Sequence, residues 1–324
     1  MRGRGICLPV KISVVVRKIV GGLLAVFMTL LAGCVKLDDQ VEEVSQWAST
    51  RPALSDVQVR QLLAGGIPTE MIQILGSVNV DSVEELCEVL DQLQAKQAEM
   101  KDRGVDAFEA NLEAEIGGVF FSWRPSLPDP VLIEHLRNVL PHVAKPEVEQ
   151  VLMTYRGKHQ PPEIRVFRRE SVGDGDAAIF RDDVYAQLDE LDRSSNVVLE
   201  GFPLATGGTA QALDLSGIPL TYTEAFEYVE RVNGSVDNLR LVRVGSTGEG
   251  TRWEFRGGDE FNEADFRSLK SVLTDPAAGE SAVVEVLWAH GVSGRAVVGK
   301  PLDEQPQSEG EWSARMQSIV ASES

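Results

Sequence analysis

One apolar run decides how much of this chain is left to fold as a body of its own. Residues 19–32 are fourteen mostly apolar positions, broken only by Gly21, Gly22 and Thr29. Arg2, Arg4, Lys11, Arg17 and Lys18 precede them, with no acidic residue before Asp38. A relaxed helix needs about 20 residues to cross a bilayer, so this run is too short to span, and a basic lead followed by an h-region of this length fits an export signal. Without residues 1–33, 291 residues remain, enough for two ordinary domains.

Charge and cysteine usage narrow the partners. The chain has 31 basic and 50 acidic residues, and without residues 1–33 the balance is 26 against 50, a formal −24. Such a surface has no basic stripe with which to displace counterions, which argues against nucleic acid and anionic headgroups as partners. The three cysteines are Cys7, Cys34 and Cys87. If Cys7 leaves with the leader and Cys34 is modified, Cys87 is the only thiol left, and stability must come from packed cores.

The run closes on Leu31-Ala32-Gly33-Cys34, which resembles the lipobox of bacterial lipoproteins. The resemblance implies that Cys34 receives a diacylglyceryl group and becomes the mature N-terminus; an uncleaved signal anchor is the alternative. It also implies a cell-envelope location. Val35 stands where inner-membrane retention in enterobacterial lipoproteins favours aspartate, which points to the outer membrane, facing the periplasm.

The expected organisation is α+β in two parts. Residues 34–53 form a polar tether or short helix. Residues 54–157 read as an all-α domain. Ser55…Gln58 and Asp81…Glu84 have capping-box spacing. Ala64-Gly65-Gly66 and Gly76 read as helix stops, and Val83, Leu86, Leu90, Leu93 and Met100 recur at steps of three and four around Gln97. Further helices are expected at 106–116 and 129–140. The heptad helix suits an intramolecular bundle, with self-association as the alternative.

After Gly157 the pattern shifts, and residues 163–299 read as an α+β domain, with 300–324 a polar tail ending in a short helix. Strands are expected at 163–169, 196–202, 209–216, 238–244, 251–256, 282–289 and 295–298, with a helix near 182–192 and another opening at Asn262 between Phe261 and Phe266. The span 196–256 reads β-β-α-β-β, its helix capped by Thr221…Glu224. Val197-Val198-Leu199-Glu200-Gly201, Leu213-Asp214-Leu215-Ser216-Gly217, the helix 222–232 and Asn238-Leu239-Arg240-Leu241-Val242 together resemble the periplasmic module of fimbrial assembly (PilN-like) proteins. That resemblance implies a ferredoxin-like unit that docks to a partner's related module. A BON-type module is similar to nearly the same degree.

No catalytic constellation emerges. His135, His142, His159 and His290 lack metal-ligand spacing, and no nucleophile elbow, phosphate loop, dinucleotide fingerprint or zinc-helix motif is present. The glycines at 173–175 and 207–208 read as turns, and Asp182, Asp183, Asp189, Glu190 and Asp192 as a solvated helix face. Residues 60–92 resemble a helix-hairpin-helix, but one with acidic flanks unsuited to DNA. The expected function is a non-enzymatic envelope scaffold with no cofactor and no metal, held by its lipid and bound to another envelope protein. A periplasmic ligand- or glycan-binding module is the alternative. The expected interface is Leu241, Val242, Arg243 and Val244, on an unpaired sheet edge unless strand 163–169 or 282–289 covers it.

Overall fold

The computed structural model describes residues 37–125, 130–155, 163–191, 196–247, 250–275, 281–307 and 310–321. Cys34, Asp129, His159, residues 160–162 and Asp192 lie outside them, as do all readings of residues 1–36.

The chain repeats one unit, a helix followed by two strands. Helices α1 (Asp38–Ser49), α2 (Val83–Lys101), α3 (Pro130–Val143), α4 (Asp174–Asp189), α5 (Tyr222–Gly234), α6 (Glu263–Leu273) and α7 (Glu311–Val320) begin 41 to 48 residues apart. Between them run β1 (Leu54–Ala64), β2 (Ile67–Val78), β3 (Ala107–Ile116), β4 (Val119–Pro125), β5 (Val148–Tyr155), β6 (Glu163–Arg168), β7 (Asn196–Glu200), β8 (Ala212–Asp214), β9 (Leu239–Thr247), β10 (Gly250–Gly257), β11 (Ala282–Trp288) and β12 (Ser293–Val297). All twelve strands form one sheet in sequence order. The two strands of a unit pair antiparallel, and consecutive units join through parallel pairs such as β2–β3 and β4–β5.

The register carries one apolar row through the whole sheet. Leu54, Val78, Ala114, Phe121, Val151, Val166, Leu199, Leu213, Val244, Trp253, Val284 and Ala296 are successive cross-strand partners. Each is at most 8 % exposed. The helices cover this face as a single layer, each touching the next from α2 to α7. The stoichiometry follows from spacing: two strands occupy about 9.6 Å, and packed helices sit 8–10 Å apart. Strand direction reverses from one crossover to the next while the helices stay on one face. Consecutive crossovers therefore have opposite hands, so the right-handed rule for parallel crossovers is kept by only part of them.

The expected all-α domain is therefore not there. Residues 54–64 and 67–78 form a hairpin, and Gly65 and Gly66 are its turn, with φ of 60° and 84°, not a helix stop. Gly76 sits in β2 where a Cβ would lie 3.0 Å from Val57 Cγ2. The helix expected at 106–116 is β3, with Phe108, Ala110, Leu112, Ala114 and Ile116 buried and the residues between them facing out. Burial on one sheet face overrode the helix propensity of its alanines and glutamates. The expected boundary near 157–163 is crossed by hydrogen-bonded neighbours, β5 and β6. Nor is 196–256 ferredoxin-like. Its strands lie in sequence order, β8 and β9 are parallel neighbours, and they continue into β6 and β11. The architecture is α/β, one mixed sheet under one helical layer.

Several local expectations coincide with what forms. α2 spans the heptad pattern, although its cap is Ser82, whose hydroxyl accepts from Glu85 N. Gln97, the polar break in that pattern, accepts from the Phe108 amide at the start of β3. Thr221 and Glu224 make a full capping box. Phe261 and Phe266 stack at 4.9 Å beside the Asn262 cap. The expected tether is largely α1, pinned to α2 by Lys96, whose buried ammonium donates to Glu43 at 2.8 Å.

Both ends of the sheet are finished. At β12, Gln305 accepts from Val297 N and donates to Val297 O and Lys300 O, while Gln317 donates to Arg295 O and Pro306 O. On β12 these two amides occupy Val297 N, Val297 O and Arg295 O, outward backbone groups that another strand would use. α7 closes the helical layer through Met316, Val320 and a cluster of Phe261, Trp288 and Trp312. At β1 the pairing is bulged between Ser55 and Gln58, around Asp56 at φ 52°.

Candidate functional site

The side of the sheet away from the helices carries no second layer among the described residues. On β3 it presents Glu109, Glu113 and Glu115, the last two exposed. Further along, charges of both signs interleave. Arg165 on β6 binds Glu163 and, at 2.9 Å, Glu200 of β7. Arg243, Glu254, Glu285 and Arg295 are successive cross-strand partners from β9 to β12. Arg252 reaches Glu254 at 3.1 Å and also Glu285, and Arg295 Nε lies 3.4 Å from Glu285.

The electrostatics of this ladder follow from partial burial. The hydrogen bond that Arg165 donates to Glu163 raises the pKa of Arg165 against the opposing effect of burial. Burial pushes the Glu200 carboxyl up despite Arg165 and Arg243. Two large apolar groups interrupt the charges: Phe120 on β4, 54 % exposed, and Leu287 on β11, 47 % exposed. Around Leu287 the surface is concave. Glu254, Arg256, Glu285 and Arg295 line a hollow of about 510 Å³ that is walled by Pro306 and Gln307. This surface carries fixed charges of both signs. It offers no nucleophile paired with a base and no metal-ligand cluster among the described residues.

The helical layer holds a second hollow, of about 800 Å³, between α4 and α5. Arg181, only 2 % exposed, places its guanidinium 4.0 Å over the Phe226 ring and bonds Asp182 and Pro203 O. Tyr185 stacks against Tyr222 and Phe226, and its buried hydroxyl has no hydrogen-bond partner. Burial raises the pKa of that phenol, so it stays protonated.

The residues singled out from sequence are scattered. Leu241, Val242, Arg243 and Val244 lie in β9, paired with β8 on one side and β10 on the other, so they are not an edge. Leu241 and Val244 are 0 % exposed and belong to the core; Arg243 is exposed on the bare face, and the half-buried Val242 lines the hollow there. The real edges are β1 and β12. His142 lines a groove between α3 and α4, and His290 is exposed 3.7 Å from Asp259. Asp189 is no solvated acid, since it accepts from Tyr222 N and Thr223 N at the start of α5. Cys87 is fully buried, and desolvation pushes its thiol up to about 12. Sequence reading missed the bare face altogether. Its signal was present as alternating charge in Glu163/Arg165, Arg243, Arg252/Glu254 and Glu285.

The chain matches no protein-family model, no curated protein and no solved structure. No described helix is long and apolar enough to cross a membrane.

Proposed function

We propose that this protein is a lipid-anchored, non-enzymatic scaffold of the cell envelope, and that it binds another envelope protein with the bare face of its sheet. The observation that carries the reading is that face itself, which spans twelve strands with its charges fixed in cross-strand register and Phe120 and Leu287 standing out of it. Exposed aromatic and aliphatic anchors among paired charges are what a specific protein interface uses. Repeat arrays of this kind commonly work as extended binding surfaces. The lipobox supports the anchor and the envelope location.

The test uses lipidated protein as bait on detergent-solubilised envelopes, beside Phe120→Asp and Leu287→Asp variants. A stoichiometric partner held by the parent and lost with either variant, at unchanged melting temperature, supports the reading. A partner that binds both variants as well as the parent refutes it. A second reading, small-ligand binding between α4 and α5, is favoured by the unpaired Tyr185 hydroxyl beside the hollow. It predicts a ligand-dependent rise in melting temperature without any protein partner.

A further inference from the structure

The described body begins at Leu37, which is fully buried, and its amide lies 3.5 Å from the Gln61 side-chain oxygen. Gln61 in turn donates to Thr69 O, and the Thr69 hydroxyl donates to Leu62 O. Leu37 is thereby fastened beside the end of the β1–β2 hairpin. That end has an unusual composition for an exposed tip. Residues 61–69 read Gln-Leu-Leu-Ala-Gly-Gly-Ile-Pro-Thr, without one ionisable side chain. Leu63 is 57 % exposed and Ile67 63 % exposed. No heavy atom lies within 4 Å of where a Cβ would stand on Gly65 or Gly66, so the tip is open on all sides.

Cys34 is three residues before Leu37. Three residues of extended chain reach at most about 11 Å. A lipid on Cys34 therefore holds the first repeat against the bilayer, with the apolar tip beside the point of attachment.

We propose that the β1–β2 hairpin tip is a second membrane contact, with Leu63 and Ile67 set into the boundary between headgroups and acyl chains next to the lipid on Cys34. The proposal rests on the lipid-anchor reading. Its partner is a zwitterionic lipid surface rather than an anionic one, because the exposed Asp38 and Asp39 at the start of α1 share this end of the molecule. Two membrane signals at one end fix how the body stands, which a flexible lipid alone does not do.

The experiment uses full lipidated protein carrying Ala64→Cys labelled with the fluorophore NBD, in phosphatidylcholine vesicles doped with brominated phosphatidylcholine. Cys34 is blocked by its lipid and Cys87 is buried, so the label goes to the tip alone. A second sample labelled at Asp303→Cys, near the other end of the sheet, serves as the aqueous reference. The expected result is a blue-shifted emission at residue 64 that bromine quenches, and no quenching at residue 303. Adding Leu63→Asp and Ile67→Asp returns the tip label to the aqueous reference without changing the melting temperature, since both side chains are more than half exposed. A tip label that stays aqueous on protein shown by intact mass to carry the lipid overturns this proposal alone. Absence of lipid on Cys34 overturns the anchor reading and this proposal with it.

Discussion

Asp265 offers the sharpest test of how one repeat is fastened to the next. It sits in the first turn of α6, 2 % exposed, and its carboxylate accepts from the backbone amides of Asp237 at 2.9 Å and Asn238 at 3.2 Å, just before β9. Hydrogen bonds to a charged group contribute roughly 1.5–3 kcal/mol each, and Asp265→Ala leaves both amides unpaired. Losing two such bonds costs roughly 3–6 kcal/mol, and release of the buried carboxylate offsets part of this, leaving a net loss of about 2–4 kcal/mol. At about 2–4 °C per kcal/mol for a chain of this size, melting falls by roughly 4–16 °C. Asp265→Asn keeps one acceptor and should lose less than half as much. Repeat arrays do not always unfold in one step, so global melting needs a local companion. Amide exchange at Asp237 and Asn238 should accelerate at least about tenfold in the alanine variant, before residues in β1 or β2 respond. A loss under about 0.5 kcal/mol with unchanged exchange at those two amides would refute the assignment of this carboxylate as the clamp.

Other consequences can be checked as directly. Tyr185→Phe removes a buried hydroxyl that has no partner, so urea unfolding should show unchanged or raised stability, by up to about 1 kcal/mol. Gly257→Ala places a Cβ 2.5 Å from Trp288 Cδ1, and the resulting overpacking should cost about 1–3 kcal/mol, visible as a lower melting temperature. Gln305→Ala with Gln317→Ala strips the seal from β12; light scattering should report self-association that the parent lacks. Glu200 has its folded-state pKa raised by burial, so the stability linked to it is fully present below its unfolded pKa near 4.5 and is lost as pH rises through the folded value. Glu200→Gln should therefore cost nothing or add stability at pH 7, and the difference from the parent should shrink as pH falls below 4.5. Cys87 should resist maleimide in the folded chain at pH 8 and react once urea exposes it.

What the sequence disclosed was local, and what it concealed was the pairing. Thr221…Glu224 and Asn262 between two phenylalanines specify helix starts through contacts within a few residues, and both formed. The pair Gly65-Gly66 is different. It can end a helix or turn a hairpin, and only the partner strand decides. Residues 107–116 alternate strictly between buried and outward positions, yet their alanines and glutamates favour a helix when read alone. The repeat was hidden because its buried positions are filled interchangeably: Ala114, Phe121, Val166 and Trp253 occupy the same row. With volume shared across a continuous core, no single position has to keep its residue type. The bare face was illegible for a related reason, since its charges become a surface only when strands far apart in sequence are set side by side.

Strand order also fixes a distance. Twelve strands in sequence order make eleven interstrand steps, a contour of about 50 Å at roughly 4.8 Å each. The proposed lipid site, Cys34, precedes β1 in sequence, and the hollow around Leu287 and Arg295 lies near the other end of the sheet. A chain whose first repeat touches the bilayer therefore carries that hollow about 50 Å of sheet away from the point of contact, and every helix–strand–strand unit inserted or deleted would change this separation by about 10 Å. In such an array the separation of the two ends is set by repeat number, independently of the chemistry at either end.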